Sequence, residues 1–170
     1  MTGPRQFDPI RAFQTLNRHD VRYVLIGGFA GKLRGSTILT VDIDICYARD
    51  RTNLDRLAAA LTELHAYLRG VEEGLPFRLD AETLARGDSF TFVTDAGDLD
   101  ILGTPSGSEG YEQLIRNAST LDLGEVMVSV AALEDLIAMK RAAGRPRDRA
   151  PREVLAALRD EIEAQESAGR

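Results

Sequence analysis

The stretch LIGGFAGKLRGSTILTVDIDICY, residues 25–47, decides how this chain folds. It opens with an apolar segment that ends at Gly27-Gly28, and it closes with Asp42 and Asp44 alternating with isoleucines. Successive side chains of a β-strand point to opposite faces, so the two aspartates share one face and the isoleucines share the other. Because neighbouring carboxylates repel each other, a strand that carries both on one face is expected to meet a cation.

Outward from this stretch, short β-rich segments alternate with helical ones. Apolar residues at intervals of three or four predict helices, and β-rich or alternating runs predict strands. The predicted helices cover 9–19, 29–35, 53–68, 111–117, 132–143 and 151–165, and the predicted strands cover 22–26, 40–47 and 126–130. Residues 89–103, SFTFVTDAGDLDILG, read as a hairpin around a turn at 95–97. Thr52 is predicted to cap the helix over 53–68.

This mixture of strands and helices indicates an α/β or α+β fold with a mixed β-sheet flanked by helices. With 170 residues, of which 44% are hydrophobic and 28% charged, the chain has material for one well-filled core. We therefore expect a single domain with its core over 1–130 and a helical C-terminal extension over 131–166 packed on that core.

Composition limits the function classes. No run approaches the roughly 18 apolar residues of a membrane span, and the start MTGPRQFDP lacks the apolar core of a signal peptide. We therefore expect a cytoplasmic protein with no membrane partner. The single cysteine, Cys46, and the two histidines, His19 and His65, are interpreted as packing and surface residues. A metal ion would then be held mainly by oxygen ligands.

The charge is unevenly spread along a chain whose formal net charge is −6. Residues 140–152, KRAAGRPRDRAPR, carry six basic residues against one acid. Such a cationic segment on an acidic protein can hold phosphates without attracting polyanions indiscriminately. A solvated loop between helices is the equally weighted alternative. Lys32 and Arg34 leave the same choice open, between a phosphate contact and solvation.

The aspartates suggest a site for divalent cations. Mg²⁺ prefers oxygen ligands, and two acids on one strand face can bridge two such ions when a neighbouring strand adds a third acid, here Asp98 or Asp100. Gly27 and Gly28, at a strand-to-helix turn, allow backbone amides to approach phosphate oxygens. A nucleoside triphosphate would contact both the cations at the aspartates and the backbone amides at Gly27 and Gly28.

The order of these features resembles the signature of the DNA polymerase beta-like nucleotidyltransferase superfamily. It is most similar to the minimal bacterial nucleotidyltransferases, including the abortive-infection toxin group of toxin–antitoxin systems. The family pattern of two small residues followed by Asp-x-Asp matches Gly27, Gly28, Asp42 and Asp44. Gly28 stands where many members have serine, and Ile38 where relatives of the subgroup often have arginine.

The resemblance also implies roles for later residues. The family's strand Gly-x-Leu-Asp-Ile-Leu matches 97–102, which selects Asp100 as the third metal-binding acid. Its triphosphate-binding lysine matches Lys140, and its later Arg-x-x-Asp type element matches Arg147 and Asp148.

The function implied is metal-dependent transfer of a nucleoside monophosphate from a nucleoside triphosphate such as ATP to an acceptor hydroxyl, with two Mg²⁺ or Mn²⁺ ions. The acceptor would be tRNA or another RNA end, a protein or a small molecule, and an antitoxin or other partner protein is a further expected ligand. One alternative is a catalytically weak nucleotide-binding or regulatory module of the same fold. The other is an antibiotic-modifying nucleotidyltransferase.

Overall fold

The computed structural model describes residues 6–71 and 77–143, which form a sheet with helices packed against it. In chain order the elements are α1 (Pro9–Arg18), β1 (Tyr23–Ile26), α2 (Gly27–Leu33), β2 (Asp42–Tyr47), α3 (Arg51–Glu63), β3 (Tyr67–Leu68), α4 (Ala81–Arg86), β4 (Ser89–Thr94), β5 (Gly97–Leu102), α5 (Tyr111–Asn117), β6 (Ser119–Asp122), β7 (Met127–Val130) and α6 (Leu133–Ala143). The predicted helix over 151–165 lies outside the described residues. The described part contains no helix of the length and apolarity needed to cross a membrane.

The strands form one mixed sheet in the order β3-β4-β5-β2-β1-β7-β6. The pairs β2–β5 and β1–β7 are parallel, and the remaining neighbours are antiparallel. The predicted α/β class with a mixed sheet is thus confirmed, as is the hairpin, which forms β4 and β5. The hairpin's second strand lies at the centre of the sheet beside β2, and this neighbour relation positions the site.

The start of α3 differs from the prediction. Its cap is Asp50 rather than Thr52, because the Asp50 carboxylate accepts a hydrogen bond of 3.1 Å from the backbone N–H of Asn53. An aspartate one residue before the helix satisfies that free N–H, which leaves Thr52 inside the first turn.

The end of α3 also differs, since the helix stops at Glu63 instead of continuing to 68. His65 takes the left-handed conformation at φ 52°, and the N–H of Ala66 donates to Leu61 O at 3.0 Å, which closes the helix. Leu68 then pairs with Phe92 in the sheet. Its spacing from Leu64 fits a helix, but the chain has already turned.

Asp42 begins β2, so the strand starts two residues later than predicted. The preceding loop leaves Leu39 and Val41 exposed by 88% and 69% of their surface. The elements β3, α4 and β6 were not predicted, because runs of two to six residues are too short to show a period. The predicted helices over 111–117 and 132–143 correspond closely to α5 and α6.

Asn53 is a fully buried polar side chain that joins α3 to the sheet. Its Oδ1 accepts from the N–H of Arg22 at 2.7 Å, and its Nδ2 donates to the carbonyls of Arg22 at 3.1 Å and Ala48 at 2.7 Å. Three backbone groups at the start of β1 and the end of β2 are thus satisfied by one amide. This contact fixes the end of β2, the strand that carries Asp42 and Asp44, to the start of β1.

We expect Asn53→Ala to lower the free energy of unfolding by about 2–4 kcal/mol, because it leaves buried backbone groups without partners. The measurement is urea unfolding followed by circular dichroism. Asn117→Ala is the matched control, since Asn117 lies on the surface and makes one hydrogen bond, to Asp135. Equal losses for the two variants would contradict the role of Asn53.

Candidate active site

Three carboxylates converge where β2 lies beside β5. The parallel register places Asp42 opposite Asp98 and Asp44 opposite Asp100. The carboxyl groups of Asp44 and Asp100 are hydrogen-bonded to each other, and both lie within the electrostatic influence of Asp42. The structure therefore brings together the three acids that the sequence singled out, from two strands separated by 49 residues of chain.

Burial and mutual repulsion dominate the electrostatics of this cluster. Burial of its carboxyl group, with the nearby charges of Asp100 and Asp42, raises the pKa of Asp44 to about 7. Burial also raises the pKa of Asp100, although the Arg69 guanidinium acts in the opposite direction. The contact between the two carboxyl groups also favours protonation of this pair of acids. A proton thus reduces the repulsion between these two acids.

The chemistry of the donor set fits a divalent cation of the magnesium type. All three groups are carboxylates, and burial together with the charges of Asp100 and Asp42 raises the pKa of Asp44, so positive charge is favoured at this site. As the side chains of residues 6–71 and 77–143 stand, no group of three or more His, Cys, Asp or Glu is arranged to hold a metal ion. One oxygen of Asp100 instead accepts a hydrogen bond from the Arg69 guanidinium.

Gly27 and Gly28 open α2 directly beside the acids. Gly27 has φ 73°, and a Cβ on it would lie 2.3 Å from Asp44 Oδ2, far inside van der Waals contact. A Cβ on Gly28 would meet Thr40 Oγ1 at 3.2 Å. No side chain caps the start of α2. The glycines therefore let the main chain pass close to Asp44. The first backbone amides of α2 have no side-chain acceptor.

Lys140 approaches the cluster from the last described helix. The neighbouring residues Leu136 and Ile137 are buried, while Lys140 is partly exposed. Its positive charge opposes the rise in the pKa of Asp44, which places the ammonium group within electrostatic reach of the acids. Arg147 and Asp148, the other residues implied by the resemblance, lie outside the described residues.

Arg34 has a structural role, which resolves the choice left open by the sequence. Its Nε donates to Ala131 O at 3.2 Å, and its Nη2 donates to Val130 O at 2.8 Å and to Ser119 Oγ at 2.7 Å. These bonds connect the end of α2 with β7 and with the residues that precede α6. Lys32, by contrast, is exposed.

Arg69 was missed by the sequence reasoning. Its Nη2 donates to Asp100 Oδ1, and its Nε lies 3.7 Å from Asp98 Oδ2. The signal was absent because Arg69 follows the two-residue strand β3, whose pairing with β4 no local pattern reveals.

The residues interpreted as structural occupy such positions. Cys46 is fully buried, its thiol donates to Gly103 O at 3.4 Å, and burial together with Asp88 raises its pKa to about 12. His19 pairs with Glu63 at the surface, and His65 pairs with Asp95.

This architecture is shared with solved nucleotidyltransferases. The lincosamide antibiotic adenylyltransferase LnuA, solved with lincomycin bound, is 13% identical, with a TM-score of 0.55 over 85% of this chain and 92% of that chain. The antibiotic-resistance factor ANT(2'')-Ia is 14% identical, with a TM-score of 0.53 over 93% and 90% of the two chains. No protein-family model and no curated protein matches the chain. The likeness shows that the chain has the nucleotidyltransferase fold, as the superfamily resemblance implied.

We expect Gly27→Ala to be more destabilising than Gly124→Ala. Both glycines have a positive φ, 73° and 92°, so both variants carry the backbone strain of about 1–2 kcal/mol. A Cβ at Gly124 meets nothing within 4 Å, whereas one at Gly27 collides with Asp44. The difference in unfolding free energy between the two variants measures that collision, and the absence of a difference would contradict the close packing of Gly27 on Asp44.

We expect Asp44→Asn to stabilise the protein in the absence of divalent ions at pH 8. The folded-state pKa of about 7 lies above the unfolded value of about 4, so wild type gains stability as pH falls through this window and lacks that gain above it. The advantage of the variant is at most about 4 kcal/mol at pH 8, and it should shrink toward pH 4.

Thermal unfolding in EDTA across pH 5–8 checks this expectation. Asp55→Asn is the control, because the Asp55 side chain is 61% exposed on the surface of α3. A stability difference between Asp44→Asn and wild type that stays constant with pH would contradict the raised pKa.

Proposed function

We propose that this protein is a metal-dependent nucleotidyltransferase that moves a nucleoside monophosphate from a nucleoside triphosphate to an acceptor hydroxyl. One observation carries the proposal. Asp44 pairs with Asp100 beside Asp42, next to the turn at Gly27 and Gly28, within a nucleotidyltransferase fold. Keeping three partly buried acids together is costly unless a cation joins them. The fold alone would be compatible with a binding module, but such a module has no need for all three acids.

Asp42, Asp44 and Asp100 are the residues that would hold two Mg²⁺ or Mn²⁺ ions. When bound, these ions would neutralise the phosphate charge and lower the pKa of the attacking hydroxyl. Asp100, at the far side of the pair from the glycine turn, orients the acceptor hydroxyl and takes its proton. The hydroxyl oxygen forms a bond to the α-phosphorus, the bond to the bridging oxygen breaks, and pyrophosphate leaves.

The opposite side of the cluster binds the β- and γ-phosphates. The first amides of α2, at Gly27 and Gly28, have no side-chain acceptor and lie next to Asp44. Lys140 brings an ammonium group to the same side, where it acts on the charge of Asp44. Backbone amides and a lysine are the usual partners of a triphosphate. Arg147 and Asp148 extend this proposed substrate site by family resemblance.

A small molecule is the acceptor that we propose first. LnuA, which was solved with lincomycin bound, aligns with 85% of this chain, and 92% of LnuA takes part in the alignment. The exposed apolar residues Leu39 and Val41 lie just before Asp42 in the chain, and we propose that they contact an apolar part of the acceptor. RNA as acceptor, and with it a toxin–antitoxin role, is supported by the basic segment 140–152, most of which lies outside the described residues.

The test is label transfer. The full chain is incubated with Mg²⁺ and each of four triphosphates labelled at the α-phosphate, against lincosamides, aminoglycosides and total tRNA in parallel. Label on an antibiotic supports the small-molecule acceptor, and label on tRNA supports the RNA acceptor instead. Absence of transfer to any acceptor, with pyrophosphate release also absent, would support the alternative of a binding or regulatory module.

We expect Asp42→Asn, Asp44→Asn and Asp100→Asn each to lower turnover by at least about a hundredfold, the loss typical when one charge-stabilising group is removed from an active site. The measurement is pyrophosphate release at saturating triphosphate. Asp55→Asn serves as the control, because it removes an exposed carboxylate on α3. The choice of the third acid fails if Asp98→Asn is inactive while Asp100→Asn retains turnover.

A further inference from the structure

Arg69 is a cation that contacts the third acid directly. Its Nη2 donates to Asp100 Oδ1, and its Nε faces Asp98 Oδ2 at 3.7 Å. The backbone N–H of Arg69 donates to Thr91 O at 3.0 Å, and Thr91 pairs with Asp100 in the sheet. The main chain of Arg69 is thereby fixed to β4, and its side chain crosses that strand to reach β5.

The guanidinium is held by charge more than by a complete set of hydrogen bonds. The side chains of Arg69 and Asp100 are only 35% and 22% exposed. Yet Arg69 Nε is buried and has no hydrogen-bond partner. A buried donor without a partner is costly, so this arrangement is easier to give up than a fully bonded one. Arg69, whose hydrogen-bonding groups are only partly satisfied, thus contacts Asp100, the carboxylate that the proposed function needs as a metal ligand.

We propose that Arg69 is a positioning residue that holds Asp100 while the acid cluster contains no divalent ion, and that it releases Asp100 when the second ion binds. This inference rests on the proposed function. The guanidinium holds Asp100 through Oδ1, so an ion bound by Asp100 would have to compete with Arg69 for this carboxylate, and Arg69 would weaken binding of the second ion to the free protein. The triphosphate supplies further oxygen ligands, and loading of that ion is thereby coupled to substrate binding.

The experiment measures Mn²⁺ binding to the full chain without nucleotide, from the electron paramagnetic resonance signal of free Mn²⁺. We expect Arg69→Gln to lower the Mn²⁺ dissociation constant by up to about fivefold, the range for loss of one ion pair that is not fully buried. Arg86→Gln is the matched control, because Arg86 is 76% exposed and pairs with Glu82 away from the acids. It should bind Mn²⁺ as wild type does. In an Asp100→Asn background, Arg69→Gln should make no difference.

A purely structural role for Arg69 predicts the opposite direction, since a loosened site binds Mn²⁺ more weakly. Unchanged or weaker binding by Arg69→Gln, while Asp44→Asn binds more weakly than wild type, would overturn the role of Arg69 and leave the proposed function standing. Equal binding by wild type, Asp42→Asn and Asp44→Asn would overturn both. Arg69→Met, which keeps the aliphatic stem, is the second variant if thermal unfolding shows that Arg69→Gln does not fold, and it must shift in the same direction.

Discussion

The parallel pairing of β2 with β5 places Asp44 beside Asp100. Because these two carboxylates repel each other, the elements around them must supply positive charge and space. Positive charge reaches the pair from two sides, with Arg69 on Asp100 and Lys140 near Asp44. Gly27 contributes by lacking a side chain, since any Cβ would occupy the space of the Asp44 carboxylate. Gly27, Arg69 and Lys140 are far apart in the chain, yet all three are arranged around this one pair of acids.

The fold supplies the rigidity that such a pair requires. The acids alternate along their strands with Ile43, Ile45, Leu99 and Ile101, all of which are buried almost completely. This apolar face anchors β2 and β5, and it cannot slip by one residue without exchanging its side chains with the acids.

The sequence predicted what local patterns encode. The alternation around Asp42 and Asp44 predicted their common face, and the turn at 95–97 predicted the hairpin that contains Asp100. The sheet position of that hairpin depends on the long-range pairing of β2 with β5, which no local period reports. The need for a third acid beside Asp42 and Asp44 suggested a neighbouring strand, and the family resemblance then selected Asp100 over Asp98. The helical spacing of Leu64 and Leu68 continues past the end of α3, because spacing does not report the left-handed turn at His65. Arg69 was not predicted for a related reason. It follows β3, and a strand of two residues is too short to show an alternation of side chains.

The bonds of Arg34 have a mechanical consequence. They clamp the last turn of α2 to the carbonyls of Val130 and Ala131, immediately ahead of α6. Gly27 and Gly28 begin α2, and Lys140 lies on α6. The bonds of Arg34 therefore hold these two groups in a fixed position relative to each other. Their separation is then fixed by these bonds, so a phosphate chain bound as proposed above would meet a gap of constant length.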